Sequence, residues 1–245
     1  VVKQGAQALP TIFSTPYRYG YWNNEGSLYR PISLAMFALE WEVSPESPGL
    51  HHFVNVLLYA LTGWLLFWVL YRFLGKKRLW MAFAATCLFV AHPIHTEVVA
   101  NIKSRDELLA LLFGLLALHF LHQRLRSQKL SPLIFSLLAY TAALFSKEGA
   151  VTFLAVFPLF LYFFTKEKNA SILRLSALYL LPVLVFMLAR YAVLGTFGGI
   201  ETEISQLDNY LAHLPLGERL ASATLISGMY LFKLLLPLPL FSDLG

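Results

Sequence analysis

The chain reads as all-α, a polytopic bundle of about six or seven transmembrane helices with short interfacial helices in an outer-face loop. Three observations predict this. Of its 245 residues, 58% are hydrophobic and only 13% charged, against about 25% charged in a soluble domain. The apolar residues come in long runs parted by short polar patches, without the period-two alternation of a membrane β-barrel. Many of the basic residues gather in the short connections between runs, a distribution that records topology. The formal charge of +5 therefore does not point to nucleic acid, and membrane lipids are the expected neighbours.

Residues 1–52 carry Pro10, Pro16, Gly20, Gly26, Pro31, Pro45, Pro48 and Gly49, which exclude one long helix and predict an ordered loop outside the membrane. Within it, 31–41 (PISLAMFALEW) suits a short amphipathic helix with Pro in its first turn, lying at the interface or packing on the bundle. Six apolar runs then form a bundle over 53–194: 53–74, 79–91, 108–121, 131–145, 150–164 and 175–194. Ser131 and Pro132 suit an N-cap and first helical position, and Ser146-Lys147-Glu148-Gly149 suits a tight turn. A polar loop, 195–217, holds Glu201, Glu203 and Asp208. In 218–245 the apolar run 220–240 is interrupted by Lys233, Pro237 and Pro239, and is a seventh crossing or an interfacial segment. The lone Cys87 excludes a disulfide within the chain and is expected to be buried and inert. Both ends read as cut: VVKQGAQALP has no initiator methionine or signal-peptide pattern, and FSDLG closes no element.

Charge counting assigns the sides. The connections beginning at Arg72, His122 and Thr165 hold ten Lys or Arg against one acid, Glu167, whereas twelve acids fall on the other face before the last segment. The basic side is predicted cytoplasmic. The acidic side then faces the periplasm of a bacterial inner membrane, or the lumen of the endoplasmic reticulum in a eukaryote.

The stretch 91–110, AHPIHTEVVANIKSRDELLA, places two histidines, three carboxylates and two cations between apolar runs. Ionisable groups at a membrane surface are costly and default to a functional reading. His92, His95 and Glu97 form a His-x-x-His-x-Glu pattern that can bind a divalent metal or simply cap a helix end at the interface. Ser104-Arg105-Asp106-Glu107 matches a capping box, with Asp106 complementing the helix dipole, while Arg105 is free to hold a phosphate at the helix N-terminus. Lys147 caps carbonyls or pairs with Glu148, on the same side of the membrane. Arg190, near the end of an apolar run, needs a lipid phosphate or a loop carboxylate such as Glu201.

Taken together, Leu28-Tyr29-Arg30-Pro31, His51 to Leu57 (HHFVNVL), His92 to Glu97 (HPIHTE), Ser104 to Glu107 and Ser146-Lys147-Glu148-Gly149 resemble a known family. It is that of the transmembrane, tetratricopeptide-repeat-containing O-mannosyltransferases and their bacterial relatives, membrane glycosyltransferases of the GT-C class. The resemblance covers about residues 28–195. It implies a multi-pass enzyme that takes a sugar from a polyprenyl- or dolichyl-phosphate donor and gives it to a hydroxyl of a protein or glycan acceptor on the outer face. The family's acidic motif in the first outer loop, the expected catalytic base, would fall before Val1, and its C-terminal repeats are absent. The chain alone is thus expected to lack turnover. The family's Arg-x-acid is met by Arg105 and Glu107, with Asp106 an extra acid.

The implied roles follow. Glu97 and Glu107 are the catalytic candidates within the chain, and a divalent metal would sit at His95 and Glu97. Arg105, Lys147 and Arg190 would hold the carrier phosphate, with Arg30, His92, Asp106 and Glu148 as further site candidates. Removing the charge of Glu97 is expected to lower transfer sharply. A transporter or a non-catalytic scaffold would also concentrate charge at helix ends, but a transporter more often shows internal repeats and Gly-broken spans.

Overall fold

The computed structural model describes residues 1–20, 28–166, 168–196, 211 and 214–237. All regular structure among these residues is helical. A 3-10 stretch, Val2–Ala8, and α1 (Leu9–Ser14) lie against α2 (Pro31–Val43), where Ala8, Ile12 and Ala38 form a small core. The Glu42 carboxylate accepts the Ala6 N–H at 3.1 Å and fastens the two pieces. Pro31 opens α2, where its missing N–H leaves no bond unmade. The helix also contacts α6 (Arg105–Ser127) and α7 (Leu130–Ser146), which makes it a packing helix.

α3 (Pro48–Leu74) begins earlier than its apolar run because Ser47 caps it, accepting the Leu50 N–H, with Pro48 at the first position. Its 27 residues reach about 40 Å at a rise of about 1.5 Å each. α4 (Leu79–Ala91) ends at His92, and the chain bends by 50° into a 3-10 turn and α5 (Thr96–Ala100). A second 3-10 turn, Ile102–Ser104, leads into α6, so the polar stretch is a chain of short turns rather than an open loop. α7 starts at Leu130, ahead of Ser131, whose hydroxyl makes no cap; Pro132 sits inside the first turn. After Lys147 comes a 3-10 turn, Glu148–Thr152, and then α8 (Phe153–Phe164) with Pro158 inside it. The last run of the bundle divides at Tyr179 into α9 (Asn169–Leu178) and α10 (Leu180–Leu194).

Three stretches are long and apolar enough to cross a membrane: Pro48–Leu74, Ile102–Ser127 and Asn169–Leu194. The bent pair Lys76–Ala91 and Pro93–Ala100 is a fourth if read as one span, while Leu130–Ser146 and Glu148–Phe164 are apolar but shorter. α11 (Leu216–Leu235) is not among them and buries none of its residues. Cys87 is exposed, contrary to expectation, because α4 buries only Ala82 and Thr86 and the next position turns outward. Trp64, Trp80, Leu88 and Phe163 are likewise exposed, as suits a surface meeting hydrocarbon.

The core lies where α6, α7, α8, α9 and α10 meet. Tyr179 stacks on Phe157 at 3.8 Å between ring centroids, and its hydroxyl shares a 2.5 Å hydrogen bond with Ser136, which also donates to the Ala117 carbonyl at 2.6 Å. Such interhelical bonds matter where no water competes. Gly114 of α6 faces the Phe153 ring so closely that a Cβ there would stand 2.2 Å from ring carbon Cζ. Gly114→Ala is therefore expected to destabilise the protein by about 1–3 kcal/mol, the usual cost of overpacking. Thermal unfolding in detergent measures this, and an unchanged midpoint would show that the α6–α8 contact yields freely.

Candidate functional site

The site grows from the first turn of α6. Arg105 is wholly buried. Its Nε donates to Asn55 Oδ1 of α3 at 2.9 Å, one terminal nitrogen donates to the Glu40 carboxylate of α2, and the other to the His51 carbonyl at 2.9 Å. Its guanidinium carbon lies 4.2 Å from the Phe37 ring centroid. His51 Nδ1 also meets Glu40, and Asn55 donates onward to the Asn101 carbonyl at 3.2 Å. Burial overturns the expectation of an outward Arg105 holding a phosphate: its donors are turned into the protein, where they brace α2, α3 and α6.

The following residues face different partners. Asp106, 4% exposed, accepts from Arg30 Nη1 at 2.5 Å. Arg30 grips Glu148 with its other two nitrogens, Nε at 2.8 Å, in the bidentate fork that favours Arg over Lys. Tyr29 positions Arg30, since its ring packs on Phe145 of α7 and Phe186 of α10 and its hydroxyl donates to the Phe13 carbonyl at 2.8 Å. Burial disfavours the Arg30 charge, but the bonds to Glu148 and Asp106 outweigh it and raise its pKa. Burial would raise the Glu148 pKa too, yet Arg30 and Lys147 hold it below the usual carboxylate value. Burial and the charge of Asp106 push the Tyr17 phenol upward, against Arg30 and Arg18.

Glu107 is the more open acid, with 48% of its side chain exposed, and pairs with Lys147. This corrects the capping box. Ser104 ends a 3-10 turn with its backbone already close to helical, its hydroxyl caps nothing, and Asp106 rather than Glu107 bonds the local backbone. Lys147 pairs with Glu107, not with Glu148. The result is a row of paired charges, Glu148, Arg30 and Asp106, then Glu107 and Lys147, at the junction of α2, α6 and the α7–α8 turn. Arg190 is half-buried one turn after Phe186 and so lies at the same end of the bundle. Glu201, Glu203 and Asp208 fall outside the described residues.

One cavity adjoins the row and a second adjoins the first. The first, of about 200 Å³, is lined mainly by apolar groups of Tyr59, Phe89, Val98, Leu108 and Leu111, with Glu107 on its wall. The other, about 140 Å³, borders His92 and Thr96, and His95 lines both. His95 packs against Phe89 at 4.4 Å between ring centroids. His92 accepts the Ile94 N–H at Nδ1 and lies 3.2 Å from the Leu234 carbonyl at Nε2, contacts that together specify the Nε2–H tautomer. Glu97 is exposed on α5 and is not drawn into the row. Among the described residues no three His, Cys, Asp or Glu side chains come together to hold a metal. His95 and Glu97 thus have no third ligand of this kind beside them among the described residues.

Glu40 and Tyr17 are members that sequence reasoning did not single out, and His51 and Asn55 lie in the quoted 51–57 motif but were given no role there. Asn55 left a signal, an amide within an otherwise apolar run. Arg105→Met removes one partner of a buried pair and is expected to cost about 3–5 kcal/mol. Chemical or thermal unfolding measures it, and a loss below about 1 kcal/mol, the scale of a surface pair, would show that Arg105 is no brace.

The chain is 32% identical over 194 residues to the Drosophila melanogaster protein O-mannosyl-transferase Tmtc2, covering 76% of this chain and 20% of that protein. It is 34% identical to Drosophila melanogaster protein O-mannosyl-transferase Tmtc1 over 124 residues, 51% of this chain and 14% of that one. With human protein O-mannosyl-transferase TMTC1 it shares 33% identity over 144 residues, 55% and 16% of the two chains. The chain thus spans between about one seventh and one fifth of these relatives' lengths. No family model and no solved structure matches it. Over the matched residues, the chain is homologous to the TMTC protein O-mannosyl-transferases.

Proposed function

We propose that this chain is the membrane portion of a glycosyltransferase that moves a sugar, mannose by analogy with its relatives' names, from a polyprenyl-phosphate donor to a protein hydroxyl. The observation that carries the reading is the apolar cavity walled by Glu107, whose carboxylate is held by the only partly exposed Lys147. Such a cleft suits the first isoprene units of a lipid carrier, with its phosphate meeting Lys147 at the cleft's polar end. In the reaction the anomeric carbon–phosphate oxygen bond breaks, and the electron pair stays on the carrier phosphate. The acceptor oxygen forms the new bond and yields its proton to a carboxylate. Lys147, with Arg190 at the same end of the bundle, would stabilise charge growing on the leaving phosphate. Arg30, Asp106 and Glu148 would hold the α7–α8 turn, and hence Lys147, in register with α6. The excess of Lys and Arg in the connections at the other end supports a periplasmic or lumenal side for this end of the bundle.

Transfer is measured on the full-length protein with a polyprenyl-phosphate sugar and an acceptor peptide. Lys147→Gln is expected to lower turnover by about a hundredfold, as loss of a positioned electrostatic group does. Its stability should change by less than about 1 kcal/mol because the pair is partly open. Glu97→Gln, outside the row, is expected to stay within about threefold, a revision of the expectation drawn from the sequence. Unaltered turnover in Lys147→Gln would remove the phosphate role. The orientation is tested in a Cys87→Ser background with single cysteines at Thr96 and Lys129: an impermeant thiol reagent outside intact cells or sealed vesicles of known orientation should reach the first only. Labelling of Lys129 alone would invert the topology and place the row in the cytoplasm.

A further inference from the structure

At the opposite end of the bundle, the charges have no such balance. Arg72, on the last turn of α3, and His119, His122 and Arg126, on one face of α6 at spacings of three and four residues, converge between the two helices. Phe73, next to Arg72, meets the His122 ring edge-on at 5.0 Å between centroids and continues into Phe160 at 4.2 Å and Phe164 at 5.6 Å. The positive charges of Arg72 and Arg126 both act on His122, and that of Arg72 acts on His119 as well; among the described residues no carboxylate joins them. The sequence has no Asp or Glu between Ser47 and Thr96 or between Leu108 and Lys147, and Glu167 lies outside the described residues.

Two of these side chains hold buried nitrogens with no hydrogen-bond partner, Nε of Arg72 and Nε2 of His122. Arg72 is otherwise set against the Trp68 ring, 5.2 Å from its centroid, and His119 against Gln123 at 2.8 Å. Arg124, two residues beyond His122 and so on another face, is tied to Gln128 at 2.7 Å and is not part of the group. Unpaired buried nitrogens cost free energy that a bound acceptor recovers, and the guanidinium charges of Arg72 and Arg126, with no carboxylate beside them among the described residues, call for an anion.

We infer that Arg72, His119, His122 and Arg126 form a site for a phosphate group, between α3 and α6 at the basic end of the bundle and separate from the acidic row. The phosphodiester of an anionic lipid headgroup and a free phosphate ion share this chemistry. The aromatic wall of Phe73, Phe160 and Phe164 beside the cations suits a headgroup with its glycerol and acyl roots alongside. The site would clamp the ends of α3 and α6.

The test uses full-length protein in phosphatidylcholine nanodiscs with and without phosphatidylglycerol, reading bound lipid by native mass spectrometry. Wild type is expected to retain phosphatidylglycerol, and the double variant Arg72→Gln, His122→Asn to lose about tenfold or more of it, the loss of at least one charge-assisted hydrogen bond. The exposed pair Lys76→Gln, Lys77→Gln is the control for general surface charge, and an equal loss there overturns the site. Inorganic phosphate that raises the thermal midpoint of wild type in phosphatidylcholine alone, but not of the double variant, also upholds the site and assigns it to a soluble anion. If the double variant does not fold, photoreactive phosphatidylglycerol on wild type decides. Label in segments 68–78 or 116–129 supports the inference, and label confined elsewhere, or no retention and no phosphate effect, overturns it.

Discussion

The arrangement depends on a guanidinium taken wholly out of solvent. Burying Arg105 is tolerable only because Glu40, Asn55 and the His51 carbonyl receive its protons, which obliges α2, α3 and α6 to meet at one point. The consequence extends along the next two residues. A helix turns about 100° per residue, so once Arg105 is fixed inward, Asp106 and Glu107 must point along two other directions. One finds Arg30 and the other Lys147. Three consecutive ionisable residues thus serve as a corner brace, a clamp on the α7–α8 turn and an open wall beside a cavity.

The two ends of the bundle solve opposite electrostatic problems. At the acidic end, every cation of the row has a carboxylate within bonding distance, and the two Arg–acid pairs share one planar fork. At the basic end, the histidines and Arg72 meet mainly aromatic carbon. The first end keeps the charges of its row in the protein's own pairs; among the described residues the second pairs none of its cations with a carboxylate.

Much of the helical architecture was legible, because long apolar runs separated by basic clusters leave few other folds open. The boundaries were not. α3 gained a turn through Ser47 and Pro48, a capping signal placed before the hydropathy rises. α6 begins at Arg105 because its charged first turn is helical in spite of its polarity, a feature hydropathy counts against it. The site was half legible: the sequence exposed the ionisable residues of 91–110 and 146–149, but pairing is a property of distance. Arg30 and Glu148 are 118 residues apart and Lys147 and Glu107 40 apart, and no local pattern distinguishes Lys147 beside Glu107 from Lys147 beside Glu148. Ser104-x-x-Glu107 misled for the same reason, since a cap needs an extended residue and a preceding 3-10 turn removed it.

The helices differ greatly in length. α3 has 27 residues while α7 has 17 and α8 only 12, which at about 1.5 Å per residue is a difference of about 15–22 Å in reach. A lipid sheet of one thickness would match these helices only if α3 tilted well away from its normal. Along α3 it can keep a full hydrocarbon depth of about 30 Å, whereas beside α7 and α8 a thinner bilayer would match the shorter helices, at a cost of fractions of a kcal/mol per Å. That flank carries Lys147 and Glu148 at the head of the α7–α8 turn. A bilayer thinned there would bring its water surface nearer to those charges.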